Sequence, residues 1–415
     1  MGALSGVKVL DLTRLLPGGF CTLLLADLGA EVLKVEDTGM GDYVRWAPPY
    51  CEGAEDSAKS ALYLALNRGK RSVRLNLKEE AGREVLLRLV ERYDVVVEGF
   101  RPGVMDRLGV GYDVLRERNP KLVYCAITGY GQTGPYTARS GHDLNYLGLV
   151  GMLDLGGSED GPPVQAAGQI ADLGGGGLMA SYAILAALRE ADRSGEGQMV
   201  DVSMADGALS WLAMVAAQYL ADGRVPGRGT EGLNGGYVCY RPYACADGYV
   251  TMAALEPKFW AAWCDGVGRP DLMDLAFEAP GSAAHAEVER VFLSRARAEW
   301  KEFADEHDCC LEPVLDLGGG PGLRPGARTR DGGRGRSAGG AGAGAPARPP
   351  RQVLGHARGP APARPWPWAS TPRRCSPTWA TRAKRSPRSR PRARLPVRRR
   401  APRARSGHEP RRWGR

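Results

Sequence analysis

The sequence predicts an α/β protein with a large Rossmann-like domain, built on a doubly wound parallel sheet, and a smaller α+β domain after it. Three observations carry this expectation. Short apolar runs alternate with segments of helical period through residues 7–204, the pattern of repeated βαβ units. Gly-x-Gly-x-x-Gly is absent after the first of these runs, so the sheet lacks the dinucleotide fingerprint. A hairpin signal and two helical stretches follow a glycine-rich segment, outside the alternating pattern.

The elements follow in order. Residues 7–12 read as a buried strand, 17–19 (Pro-Gly-Gly) as a turn, 20–28 as an apolar helix stopped by Gly29, and 31–36 as a second strand. Residues 71–77 read as a strand, 78–93 as a helix with Val85, Leu86, Leu89 and Val90 on one face, and 94–98 and 122–127 as further strands. Such sheets bind ligands at the carboxyl ends of their strands. Residues 156–163, with three glycines and two prolines, read as an exposed loop. A helix follows the glycines from 174 to 188, then a strand at 199–204. The stretch 205–220 is apolar almost all round and predicts a buried helix. These divisions give a large domain over 1–221, a linker over 222–236 and a small domain over 237–317. In the small domain, strands at 237–243 and 249–254 flank Asp247-Gly248, and helical stretches span 257–267 and 284–307.

The net charge of +9 hides a break in composition. Residues 321–415 hold 25 Arg and one Lys against Asp331 and Glu409, whereas the first 320 residues carry 30 basic and 45 acidic side chains. The tail from 318 is Arg, Pro, Ala and Gly without apolar periodicity and reads as disordered. An Arg-rich arm could bind nucleic acid, but one Lys beside 25 Arg points instead to a shifted reading frame in high-GC coding sequence, so no nucleic-acid partner is expected. The nine cysteines are scattered without a Cys-x-x-Cys pair, which argues for reduced thiols, a cytoplasmic setting and no metal site. No run of 18 apolar residues and no signal-peptide pattern occurs, so no membrane association is expected.

One stretch concentrates the chemistry. His142 and Asp172, both proton-transfer residue types, stand at the two ends of the 141–177 connection. An imidazole titrates near neutral pH, and an Asp beside glycines lies against backbone N–H groups that a ligand can approach. By residue type alone, the His also suits a structural role and the Asp an N-cap.

Gly141-His142-Asp143-Leu144-Asn145-Tyr146 resembles the Gly-His-Asp-Ile-Asn-Tyr signature of the α-methylacyl-CoA racemases, members of the family III CoA-transferase superfamily. Ala171-Asp172-Leu173-Gly174-Gly175-Gly176 and Ala254-Leu255-Glu256-Pro257-Lys258-Phe259 resemble two further racemase motifs. Leu4 to Leu12 and Glu98 to Val104 fit as well, in order, from residue 4 to about 316. Read one base later from Pro349, and two bases later from Ser370, the genetic code permits segments resembling the family's C-terminal return. The resemblance implies an interlocked homodimer and an acyl-CoA substrate, with coenzyme A entering as part of that substrate and no separate cofactor.

The resemblance also implies site roles. His142 and Asp172 would exchange the α-proton on opposite faces of the thioester, with Glu256 orienting His142. Arg74, Leu75, Asn76, Leu77, Arg101, Gly141, Asp143, Leu144, Asn145 and Tyr146 would contact CoA or substrate. The chain departs from the racemases in lacking an Arg near Asp37 and in carrying Asn234 where they have an Asp. The expected activity is racemisation of 2-methyl-branched acyl-CoA by two-base 1,1-proton transfer. The first alternative is CoA transfer through an Asp172 acyl-enzyme, the second an inactive frame-shifted product.

Overall fold

The computed structural model describes residues 2–51 and 56–319; the arginine-rich tail, and the frame-shift reading of it, lie outside the described residues. Six parallel strands form one sheet in the order β3-β2-β1-β4-β5-β6. They are β1 (Lys8–Asp11), β2 (Glu31–Glu36), β3 (Arg71–Arg74), β4 (Val95–Glu98), β5 (Val123–Thr128) and β6 (Met199–Ser203). The chain starts in the middle, winds out to β3, returns and winds out to β6. The strand order therefore reverses between β1 and β4, where their carboxyl ends leave a crevice.

Strand alternation places the core on both faces. Val9, Val95, Val97, Val123 and Cys125 pack on one side with residues of Leu15–Asp27 and Met179–Ser194. Leu10, Val96 and Tyr124 pack on the other with Leu86, Val90 and Leu115. A second sheet, antiparallel, joins β7 (Tyr240–Cys245), β8 (Gly248–Ala253) and β9 (Leu311–Pro313). Its core is aromatic: Trp260 stacks on Trp263 at 4.9 Å between ring centroids, and Trp263 on Phe292 at 5.2 Å.

The glycines behave differently from the sequence reading. Pro17, Gly18 and Gly19 make no turn; they lie inside the helix Leu15–Asp27. Gly174 to Gly177 form no open cradle either. They are buried within a wide-turned π-helix, Ile170–Leu178, which runs on into Met179–Ser194 as one apolar element of 25 residues. A Cβ on Gly175 would stand 2.7 Å from the Met204 carbonyl oxygen and 2.8 Å from the Ala208 nitrogen. A Cβ on Gly177 would stand 2.7 Å from the Pro17 carbonyl oxygen. At Gly175 and Gly177 neighbouring helix backbone passes too close for any side chain, while Gly174 and Gly176 admit the side chains of Trp211 and Met204.

Three other elements depart from expectation. β3 ends at Arg74, so Leu75 to Leu77 form the loop beyond it. The 205–220 stretch divides into Met204–Ser210 and Ala213–Asp222, and the second helix buries none of its residues. Trp211, Met214 and Leu220 face outward there. The 284–307 stretch breaks at Ser294 into Ala283–Leu293 and Arg297–Glu306.

Because its neighbours are backbone atoms, Gly175→Ala should destabilise the fold by about 1–3 kcal/mol, the usual range for overpacking. Gly168, which has open space around its α-carbon, is the comparison. Urea unfolding should leave Gly168→Ala close to the parent, and equal midpoints for the two variants would rule out the packing account.

Candidate active site

The crevice edge is held by buried charge. The Lys34 ammonium lies 2.9 Å from Asp42, 3.8 Å from Asp11 and 2.9 Å from the Thr13 carbonyl oxygen. Lys70 reaches Asp11 at 3.1 Å, the Thr22 hydroxyl at 2.7 Å and the Gly19 carbonyl at 2.9 Å. Isolated charges could not be buried so completely, but paired and hydrogen-bonded ones can. Burial alone would raise the Asp11 carboxyl, yet the two ammoniums and the Thr13 and Thr22 hydroxyls hold it well below the usual carboxylate range. Burial pulls the Lys70 ammonium down despite Asp11. The network pins the turn after β1, where Leu15 sits in the left-handed region at φ 63° with its N–H donated to Asp42.

His142 and Asp172 come from two helix starts that are tied together. His142 is the N-cap of Asp143–Leu149, and its own N–H donates to the Asn145 side chain at 3.0 Å. The next residue, Asp143, is buried, and its Oδ1 accepts from the N–H groups of Ala171 (2.7 Å) and Asp172 (3.0 Å). The π-helix thus has its first N–H groups satisfied from another helix, since Gln169, its own N-cap, supplies no side-chain bond. Asp172 is only 9% exposed. Burial, and then the Asp143 charge, push its carboxyl up to about 6, with His142 opposing them. A carboxyl there can hold or release a proton near neutral pH. The Tyr146 hydroxyl donates to the Gly141 carbonyl at 2.6 Å, fixing the turn that carries His142.

The other expected residues are distributed around this pair. Leu144 and Asn145 are exposed on the His142 helix. Arg74 is exposed at the carboxyl end of the edge strand β3 and donates to the Gly39 carbonyl. Leu75 and Leu77 pack on the core while Asn76 accepts from the Lys78 N–H. Arg101 is exposed beyond β4, and among the described residues its guanidinium has no hydrogen-bond or ion-pair partner. Glu256 is the exposed N-cap of Pro257–Gly266, and among the described residues no hydrogen bond or ion pair joins it to His142. Asn234 spans two backbones, accepting from the Glu231 N–H and donating to the Leu155 carbonyl. Among the described residues, no group of three His, Cys, Asp or Glu could hold a metal ion.

Three features escaped the sequence reading. Asp143 reaches across 28 and 29 residues of chain, so no local signal could reveal the bond. A guanidinium does stand at Asp37, but it comes from Arg14, 2.7 Å away and facing the rings of Tyr43 and Phe100. Glu98, at the end of β4, is buried and accepts from the Phe100 N–H (2.7 Å) and the Tyr124 hydroxyl (3.2 Å). Burial pushes its carboxyl up to about 7.

A raised folded pKa means that Glu98 contributes stability below its unfolded value, lost as pH rises through about 7. Glu98→Gln should therefore gain stability relative to the parent between pH 4.5 and 8, by about 3 kcal/mol at most. Denaturant unfolding at several pH values checks this, and a difference independent of pH would overturn it.

With this geometry in place, comparison with known proteins is direct. The family model "CoA-transferase family III" matches residues 4–320. A succinyl-CoA:mesaconate CoA-transferase of Haloarcula marismortui is 41% identical over 322 residues, covering 76% of this chain and 78% of the relative. An alpha-methylacyl-CoA racemase of Mus musculus is 37% identical over 316 residues, covering 75% and 77%. The crystal structure of a CAIB/BAIF family protein from Brucella suis superposes with a TM-score of 0.67 at 32% identity, covering 80% of this chain and 93% of that one. The expected resemblance therefore holds, and the chain belongs to CoA-transferase family III.

Proposed function

We propose that this chain racemises the α-carbon of 2-methyl-branched acyl-CoA thioesters by two-base 1,1-proton transfer. The supporting observation is the joining of His142 and Asp172 through one carboxylate, Asp143, which places two groups able to carry a proton at one site. One member of the pair removes the α-proton and leaves an enolate. The other delivers a proton to the opposite face, and the pair ends with its protonation reversed until solvent resets it. Which group acts as base depends on the enantiomer bound. The resemblance of 141–146 to the racemase signature supports the same reading.

In this scheme Glu256 acts on His142 from a second copy of the chain, in the homodimer that the resemblance implies. The outward apolar side chains Trp211, Met214 and Leu220 support such a contact. Arg74 and Arg101, exposed at the carboxyl edge of the sheet, would meet the CoA phosphates. The substrate brings its own coenzyme A, and no further cofactor enters the scheme.

The second reading is CoA transfer, favoured by the transferase relative at 41% identity. Asp172 would then attack the thioester carbonyl, expel CoA thiolate and form a mixed anhydride. Asp172 fits both schemes, and His142 separates them, since transfer needs no second proton carrier.

In deuterated water, the parent should wash deuterium into the α-position of both enantiomers of 2-methylacyl-CoA. His142→Ala should lower that exchange by ~10²–10⁴-fold for at least one enantiomer while remaining folded. Parent-like exchange of both enantiomers in the variant would remove the racemase reading. Hydroxylamine added during turnover should trap no adduct at Asp172. A trapped Asp172 adduct in the mass spectrum would establish the transferase instead.

A further inference from the structure

We propose that Asp143 is the positioning residue of this site: its carboxylate sets both where Asp172 stands and which protonation state it holds. The inference rests on Asp172 being a reacting group, as both readings above require.

The geometry gives Asp143 two separable duties. Its Oδ1 accepts from the N–H groups of Ala171 and Asp172, and so fixes the start of the π-helix. Among the described residues no other side chain caps it, and Gln169 stands in the left-handed region at φ 48° with no capping bond from its side chain. The second oxygen, Oδ2, is buried and makes no hydrogen bond. Two N–H dipoles on one oxygen leave most of the carboxylate's charge uncompensated, and in a water-poor site that charge acts over short range on its neighbours. Asp172 is the neighbour whose backbone it holds.

The other groups facing Asp172 are few. His142, one residue before Asp143, favours the ionised form. The Tyr146 phenol, buried against Tyr130, is itself raised by burial and then by Asp172. Asp206 lies on the Met204–Ser210 helix that packs against the glycine run. Among the described residues, Asp143 is the group whose charge resists ionisation of Asp172. It keeps the acid form present near neutral pH, where a proton must be both accepted and given up.

Asn and Ala separate the two duties. Asp143→Asn keeps an oxygen that can accept both N–H groups but removes the charge. Asp143→Ala removes both. The proteins to compare are full-length parent, Asp143→Asn and Asp143→Ala, with carbon-13 in the Asp side-chain carboxyls and Asp172→Asn to assign the resonance. Asp143→Asn should melt within a few degrees of the parent and titrate Asp172 below about 6. The limb of the pH–rate profile governed by Asp172 should move to lower pH with it, a tenfold change in population for each unit moved. Asp143→Ala should lose melting temperature and lose activity at every pH.

An Asp172 midpoint unchanged in Asp143→Asn would overturn the proposal. So would an Asp143→Asn protein as unstable and inactive as Asp143→Ala, which would leave Asp143 a purely structural cap. The carboxyl titration needs no substrate. If the midpoint moves as stated but no deuterium enters the substrate, the racemase reading fails and the inference about Asp143 stands.

Discussion

The close approach of two backbones at Gly175 and Gly207 is the contact on which the rest of the arrangement depends. A side chain on either glycine would run into backbone of the other helix or of its next turn. Without side chains, the π-helix lies directly against Met204–Ser210 on one side and against Leu15–Asp27, through Pro17 and Gly177, on the other. Glycine is costly in a helix because it surrenders more backbone freedom on folding than other residues. Here that loss is offset by full burial between two helices that begin at the carboxyl ends of β1 and β6. Asp172, three residues before Gly175, is thereby carried to the same edge of the sheet as the turns after β1 and β6.

That edge would not stay in place on packing alone. Asp11, Lys34 and Lys70 come from β1, β2 and the turn before β3, and their side chains meet beneath the crevice. Removing any one would leave an uncompensated buried charge, which is far more destabilising than the trio is stabilising. The network therefore acts as a register lock. It fixes the turn after β1 in a strained conformation at Leu15, and Arg14 is delivered between Tyr43 and Phe100 as a result.

What could be read from the sequence follows from which signals are local. β1, β2, β4 and β5 are short, largely apolar runs, and a parallel strand buried on both faces needs little more. The hairpin was legible because its turn is confined to two residues, Ala246 and Asp247, with Gly248 opening the next strand. Glycine was not legible in this way. Pro17-Gly18-Gly19 carries the same letters as a turn, and Gly174 to Gly177 the same letters as a ligand cradle, but their function is to admit a neighbour invisible to a local reading. The Ala213–Asp222 helix misled for a related reason. An apolar helix has the same composition whether or not the rest of the chain covers it. His142 and Asp172 could be named from motif resemblance, whereas the bond joining their helices could not, because it closes a loop of irregular chain.

The environment of Asp172 is compatible with either of the two chemistries named among the relatives. A carboxyl near 6 is mostly ionised at neutral pH and so can attack a thioester, yet enough of the acid form remains to return a proton. Burial and the Asp143 charge produce that midpoint whatever the reaction. The distinction has to lie outside Asp172, at whichever group faces it across the substrate. Racemisation requires a second proton carrier on the far side of the α-carbon, held in fixed relation to the first. In this chain the residue hydrogen-bonded to the Asp172 backbone is the residue that follows His142. The two helix starts that carry His142 and Asp172 are thereby tied to each other by hydrogen bonds as well as by packing.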